Sequence, residues 1–325
     1  MKAPNRGVLA AIPFGQSGLS AGWAILLFVV AVSGMLALGA SFLTHLSRGA
    51  PDLARGRYLD VSKEMVPALF KVIAVILSVY AMSLLERRLV GMYGLNLRFL
   101  TDIVPGALIG IIAMSILVGV LTTLHLLVFD GRLLHGSAAI QSGGAWLVFY
   151  FLFALYEEML FRGYVLLTLM RGLREIAIRM SGSHARAVAF WLSATLCSFL
   201  FTLLHANNAD ETATGLLGIF LFGMLCSYAL WRTGSLWWAI GFHMIWDWTE
   251  SFLYGVPDSG AFSVGSLFAA HASGDALLSG GLAGPEGSLL LIPVLVLIFL
   301  FVRLQTRGGR SFIYADDMIN RSTTS

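Results

Sequence analysis

The 325-residue chain is poor in charge. Asp, Glu, Lys and Arg make up 12% of it and hydrophobic residues 58%, whereas a soluble domain carries about 25% charge. A water-soluble globule is thereby excluded. Cysteine is also scarce: Cys197 and Cys226 are the two present, with no C-x-x-C pair. That excludes a disulfide framework and a zinc ribbon, and both thiols fall in apolar stretches where they read as small buried hydrophobes. No repeat of 20–50 residues is found. There is no H-E-x-x-H, which excludes a zincin. The net charge of +3 does not call for nucleic acid, because basic cytoplasmic loops account for it.

Long apolar runs are abundant. Eight stand out, near 22–46, 66–85, 102–129, 144–171, 187–205, 213–231, 235–254 and 288–303. They are far longer than the ~10 residues of a barrel strand, so the expectation is an all-α, polytopic membrane protein with about eight transmembrane helices. Lys2 and Arg6 precede the first run, and GMLALGAS at its end offers small residues. The run nevertheless exceeds the 7–15 residues of a signal-peptide core, so it is expected to stay as an anchor. Fourteen Lys and Arg residues fall in segments on the side of the N-terminus. Arg48, Arg55, Arg57, Lys63 and Arg132 fall on the other. The positive-inside rule then puts both termini in the cytoplasm.

Most of these runs are free of ionisable groups. Lys71 lies close enough to the start of its run to snorkel. The exceptions gather in three places. The stretch FLFALYEEMLFRGYVLL, 151–167, holds Glu157, Glu158 and Arg162. A single charge at mid-bilayer costs roughly 2.5–3.5 kcal/mol, so three cost on the order of 8 kcal/mol before pairing. Glu158 and Arg162 are spaced i, i+4 and can pair on one face. Glu157 points about 100° away and is left free, as a carboxylate that a partly dry cavity could make a general base. The fifth run ends SFLFTLLHANN, with Phe201 and His205 one turn apart. The seventh contains GSLWWAIGFHMIWDWTESF, with His243 and Asp247 again at i, i+4. An Asp one turn from a His is an ordinary way to fix its tautomer. The flanking Trp237, Trp238, Trp246 and Trp248 read mostly as interface anchors.

Taken together these residues resemble the CPBP intramembrane proteases, which include the type II CAAX prenyl endopeptidases and bacterial Abi proteins. The family's EExxxR, FxxxH and HxxxN/D motifs match Glu157–Arg162, Phe201–His205 and His243–Asp247 in order and spacing. The resemblance implies a catalytic helical core at 144–255. It leaves 1–143 as three N-terminal helices, and 256–325 as a loop, a last helix and a basic tail. It implies that Glu157 activates a water with His205 as its partner. His243 and Asp247 would stabilise the oxyanion or help hold a metal, Asp247 by orienting His243 or binding the ion. Glu158, Arg162 and Phe201 would be supporting structure. One divalent ion such as zinc is an implied cofactor, with Glu157, His205 and His243 as its candidate ligands. The implied substrate is a membrane-associated peptide or protein within the bilayer; the prenyl-directed activity is not carried over.

Two other function classes use such residues: a proton-coupled transporter, which would show internal repeats with broken helices, and a catalytically inactive membrane scaffold. The stretch GVPDSGAFSVGSLFAAHASGDALLSGGLAGPEG, 255–287, has no Lys or Arg. It reads as a flexible extracytoplasmic linker, or, through Phe262 and Phe268, as a lid. His271 within it has no motif partner.

Overall fold

The structure, a computed structural model, describes residues 14–15, 18–47, 58–208 and 210–306. The basic N-terminal start with Lys2 and Arg6, most of the first loop with Arg48, Arg55 and Arg57, and the tail with Arg307, Arg310 and Arg321 lie outside them. The described residues are predominantly helical. Its helices are α1 (Ala21–Ser47), α2 (Val61–Leu85), α3 (Ile103–Thr123), α4 (Gly136–Glu158), α5 (Leu166–Gly172), α6 (Arg174–Ser181), α7 (Ala185–His205), α8 (Ala213–Thr233), α9 (Leu236–Trp248), α10 (Ala276–Ser279) and α11 (Leu291–Gln305). Two π-helical segments interrupt regular winding. Met159–Val165 joins α4 to α5, and Thr249–Tyr254 extends α9.

Helices dominate because lipid offers no partner to backbone N–H and C=O groups, and a helix satisfies both internally. Six helical stretches are long and apolar enough to cross a membrane. Leu291–Gln305, with 15 residues, spans only about 22 Å at 1.5 Å per residue, and the seventh stretch, α9 with its π extension, carries His243, Asp247 and Glu250, so the expected eight is an approximate count. The third run was expected to reach residue 129. The helix stops at Thr123, and Leu127–Arg132 instead pairs antiparallel with Phe268–Ala272. That strand carries Asp130 and Arg132, which a membrane helix would expel.

The segment 255–287 is a folded cap rather than a linker. Besides that strand pair, Phe262–Ser263 lies parallel to Tyr58–Leu59. Side chains of α4 hold the cap from beneath: Ser142 and Trp146 donate to the carbonyls of Gly265 and Val264, and Tyr150 bonds Ser263. The turn out of the π segment uses Gly255 at φ +66°, where a Cβ would strike the Phe268 carbonyl. His271 does have a partner: its Nδ1 lies 2.9 Å from Asp130 on the neighbouring strand, in an exposed pair. Lys71, expected to snorkel, is half-buried, with its ammonium 5.0 Å from the Phe153 ring centroid and 5.8 Å from that of Tyr156, within cation–π range.

Helix α3 packs backbone to backbone against α9. Gly106 and Gly110 form a G-x-x-x-G on α3 that faces the α9 backbone. A Cβ on Gly106 would meet the Trp238 carbonyl, and one on Gly110 would stand 2.7 Å from that of Phe242. Small residues let backbones approach where lipid supplies no hydrophobic drive between helices. The tryptophans expected as interface anchors belong to this core: Trp238 and Trp246 are 1% and 0% exposed, and Trp248 donates to the Gly143 carbonyl. They are buried because α9 is enclosed by α3, α4 and α8. We expect Gly110→Val to push α9 off α3 and destabilise the fold by about 1–3 kcal/mol, as overpacking does. Gly119→Ala, with open space around its Cβ, should leave the melting temperature of the purified protein unchanged.

Candidate active site

Three helices bring the motif residues to one place. Glu157 and Glu158 close α4, His205 closes α7, and His243 and Asp247 lie one turn apart on α9. Both π segments follow directly, Met159 after Glu158 and Thr249 two residues after Asp247, and such widened turns occur often at functional sites.

Glu158 is the hub. Its Oε1 accepts from Arg162 Nη1 at 3.0 Å and from His243 Nδ1 at 3.0 Å. Glu158 and Arg162 are 0% exposed and His243 is 5% exposed. The expected pairing of Glu158 with Arg162 is present, but the residue that fixes His243 is Glu158, from another helix, and not Asp247. With Nδ1–H given to Glu158, the neutral ring leaves Nε2 as an acceptor. That nitrogen lies 3.5 Å from Asp247 Oδ2 and 3.8 Å from Glu157 Oε2. Arg162 is packed as well as paired: its guanidinium carbon sits 4.5 Å from the Phe201 ring centroid. Gly223 on α8 leaves the room, since a Cβ there would be 2.9 Å from Arg162 Nη2.

Phe201 also reaches His205. Its carbonyl lies 2.8 Å from His205 Nδ1, and the two rings lie 4.3 Å apart. An Nδ1–H donated to that carbonyl leaves Nε2 of His205 as an acceptor too. Glu157 is 7% exposed, and its Oε2 is buried without a hydrogen-bond partner among the described residues.

A cavity of about 40 Å3 is lined by Glu157, His205, His243 and Asp247 together with Phe153, Phe201, Ile219, Phe222, Asp258, Ser259 and Glu286. It can hold water but not a peptide chain. Asp258, Ser259 and Glu286 went unnoticed in the sequence. They come from the cap, where no periodicity or motif marks them; the one signal was acidic residues, in VPDSG and GPEG, within an apolar region. Glu286 accepts from Trp246 Nε1 at 2.6 Å. Burial raises the carboxyls of both Asp258 and Glu286 above their ordinary range, Glu157 adding to the effect at Asp258 and Asp258 to that at Glu286.

Breaking a buried ion pair by removing one partner costs about 3–5 kcal/mol. We expect Glu158→Gln and Arg162→Met each to lower the amount of folded protein in membranes. The double variant should recover part of that loss, as quantified by size-exclusion of detergent extracts. Strictly additive losses would contradict a coupled pair.

No curated protein and no solved structure matches the chain. Residues 139–249 match a family model described as "Type II CAAX prenyl endopeptidase Rce1-like". The matched region starts in α4 and ends just past α9, so it contains Glu157, Glu158, Arg162, Phe201, His205, His243 and Asp247. Residues 139–249 of this multi-pass membrane protein are thus an Rce1-like domain of the type II CAAX prenyl endopeptidase kind, within the CPBP family to which the three motifs pointed.

Proposed function

We propose that the protein is an intramembrane endopeptidase that hydrolyses a peptide bond of a membrane-associated protein or peptide, with a water activated by Glu157. The observation that carries this reading is the meeting of Glu157, His205, His243 and Asp247, from three helices, around one water-sized cavity in an apolar bundle. The Rce1-like match supports the reaction class. The match covers residues 139–249 and carries no substrate specificity by itself, so the substrate class stays at membrane-associated polypeptide.

Glu157 takes a proton from the water as its oxygen bonds to the carbonyl carbon. The carboxylate is suited to this because its Oε2 has no competing donor. His205 is held by the Phe201 carbonyl, and its free Nε2 would position the same water. The oxyanion takes a hydrogen bond from His243 once that ring carries a proton on Nε2 as well. Glu158 compensates the resulting charge from the far side, and Asp247 stands beside the proton-bearing nitrogen. The proton held by Glu157 then passes to the amide nitrogen and the C–N bond breaks as the oxyanion re-forms the C=O; the new carboxylic acid gives its remaining proton to the amine, by way of Glu157, and a carboxylate and an ammonium leave.

A divalent metal here would take Glu157, His205 and His243 as ligands and would polarise the carbonyl and the water. Glu157 and His243 are near enough to share an ion at 3.8 Å. Among the described residues, however, the three do not close into a set with all ligand atoms within 4.8 Å, so we route no step through a metal. The small cavity means that a peptide enters only if the cap, which supplies Asp258, Ser259 and Glu286, moves away. We place both termini in the cytoplasm of a bacterial cell, following the Lys and Arg distribution.

Glu157→Gln preserves size but cannot act as the base. We expect normal membrane insertion and at least ~100-fold less cleavage, the low end of general-base effects. Proteomics of membranes from cells carrying either form should show processed termini that vanish with the variant. Unchanged termini would contradict the peptidase reading and favour a scaffold.

A further inference from the structure

On the cap side of the catalytic cavity, and sharing Asp258 and Glu286 with its lining, lies an acidic cluster that the mechanism does not use. Glu250 is on the π segment after α9, Asp258 is in the cap, and Glu286 is in the 3-10 turn Pro285–Gly287 ahead of α11. One carboxylate oxygen from each lies within 4.8 Å of the others. Glu250 is 0% exposed, and among the described residues neither of its oxygens closes a hydrogen bond of normal geometry, although the Glu286 backbone N–H approaches the carboxylate. A buried carboxylate so weakly partnered is costly unless something else satisfies it. The neighbours do not. Ser251 reaches Asp258 only at 3.4 Å, Ser259 reaches Glu286 at 3.5 Å, and the one short bond, from Trp246 Nε1, goes to Glu286. Among the described residues no Lys or Arg pairs with any of the three. The neighbouring Asp247 and Glu157 add further negative charge on the same side.

We infer that Glu250, Asp258 and Glu286 bind one hard divalent cation of calcium size, which ties the cap to the end of α9. All-oxygen donors select calcium or magnesium over zinc or copper. Calcium holds oxygens at 2.3–2.6 Å, so opposed ligands lie up to about 5 Å apart, a spread that covers the observed one. Three carboxylates leave coordination positions for water and for Ser251 or Ser259. Because the ligands come from α9's extension and from both ends of the cap, the ion would set how readily the cap leaves the cavity. This site does not depend on the peptidase reading.

The test uses the full-length protein in detergent, stripped with a chelator and titrated with calcium or magnesium. Thermal unfolding and tryptophan fluorescence are read together, since Trp246 bonds a ligand directly. We expect a saturable calcium-dependent rise in melting temperature, with magnesium weaker. Glu250→Gln and, independently, Asp258→Asn should each raise the half-saturating calcium concentration at least about tenfold, the scale on which metal-site changes act. Glu157→Gln should keep the calcium response. No calcium-dependent shift in the unaltered protein would overturn the inference. So would a shift that both Glu250→Gln and Asp258→Asn retain in full, or one lost in Glu157→Gln but kept in Glu250→Gln, which would place the ion in the catalytic cavity.

Discussion

Much of this molecule depends on one carboxylate, Glu158, buried in a membrane-embedded core and shared between Arg162 and His243. In lipid a lone charge is expensive, and the usual remedy is a partner on the same or a facing helix. Glu158 has both. Arg162, one turn on, neutralises it; His243, on α9, donates to the same oxygen and is fixed in return. A same-helix pair alone would be electrically adequate but would not connect anything. The third member turns local charge balance into a tie between α4 and α9, and it does so at the depth where Glu157 faces the cavity. The surrounding packing serves the same tie: Gly223 leaves space for the guanidinium, Phe201 lies under it, and Gly106 and Gly110 let α3 press against the other side of α9.

The division between adjacent glutamates follows from helix geometry. Glu157 and Glu158 point about 100° apart, so one enters the ion-pair core while the other lines the cavity. The cap adds a second layer of acidity through Asp258 and Glu286, both raised by burial. A group whose folded-state value is raised contributes stability at low pH that is lost as pH rises through that value. The cap is therefore held least firmly when its acids are ionised and uncompensated.

What could be read from the sequence was whatever a single helix encodes. Glu158 with Arg162, Phe201 with His205, and His243 with Asp247 are each one turn apart, and helical periodicity alone placed each pair on one face. The bond from Glu158 to His243 crosses between helices that are 85 residues apart in sequence, and no spacing rule reaches that far. For the same reason Asp247 was credited with holding the ring. The cap was misread as a linker because Gly, Ser and Ala carry no pattern of their own; its order comes from bonds to α4 and from strand pairing with 127–132. The tryptophans were misplaced because burial by α3, α4 and α8 is a tertiary property, invisible in a composition that also suits a membrane interface. The end of α3 was overrun because Leu124–Phe129 is apolar, although the chain there turns into a strand.

The most direct measurement of the Glu158 hub is the protonation pattern of the His243 ring, by 15N spectroscopy of histidine-labelled protein with the resonance assigned through His243→Gln. We expect a neutral ring protonated at Nδ1 in the unaltered protein, and loss of that pattern in Glu158→Gln, where the acceptor is weakened. A ring protonated at Nε2 and unaffected by Glu158→Gln would contradict the hub, and with it the link between the buried ion pair and the cavity.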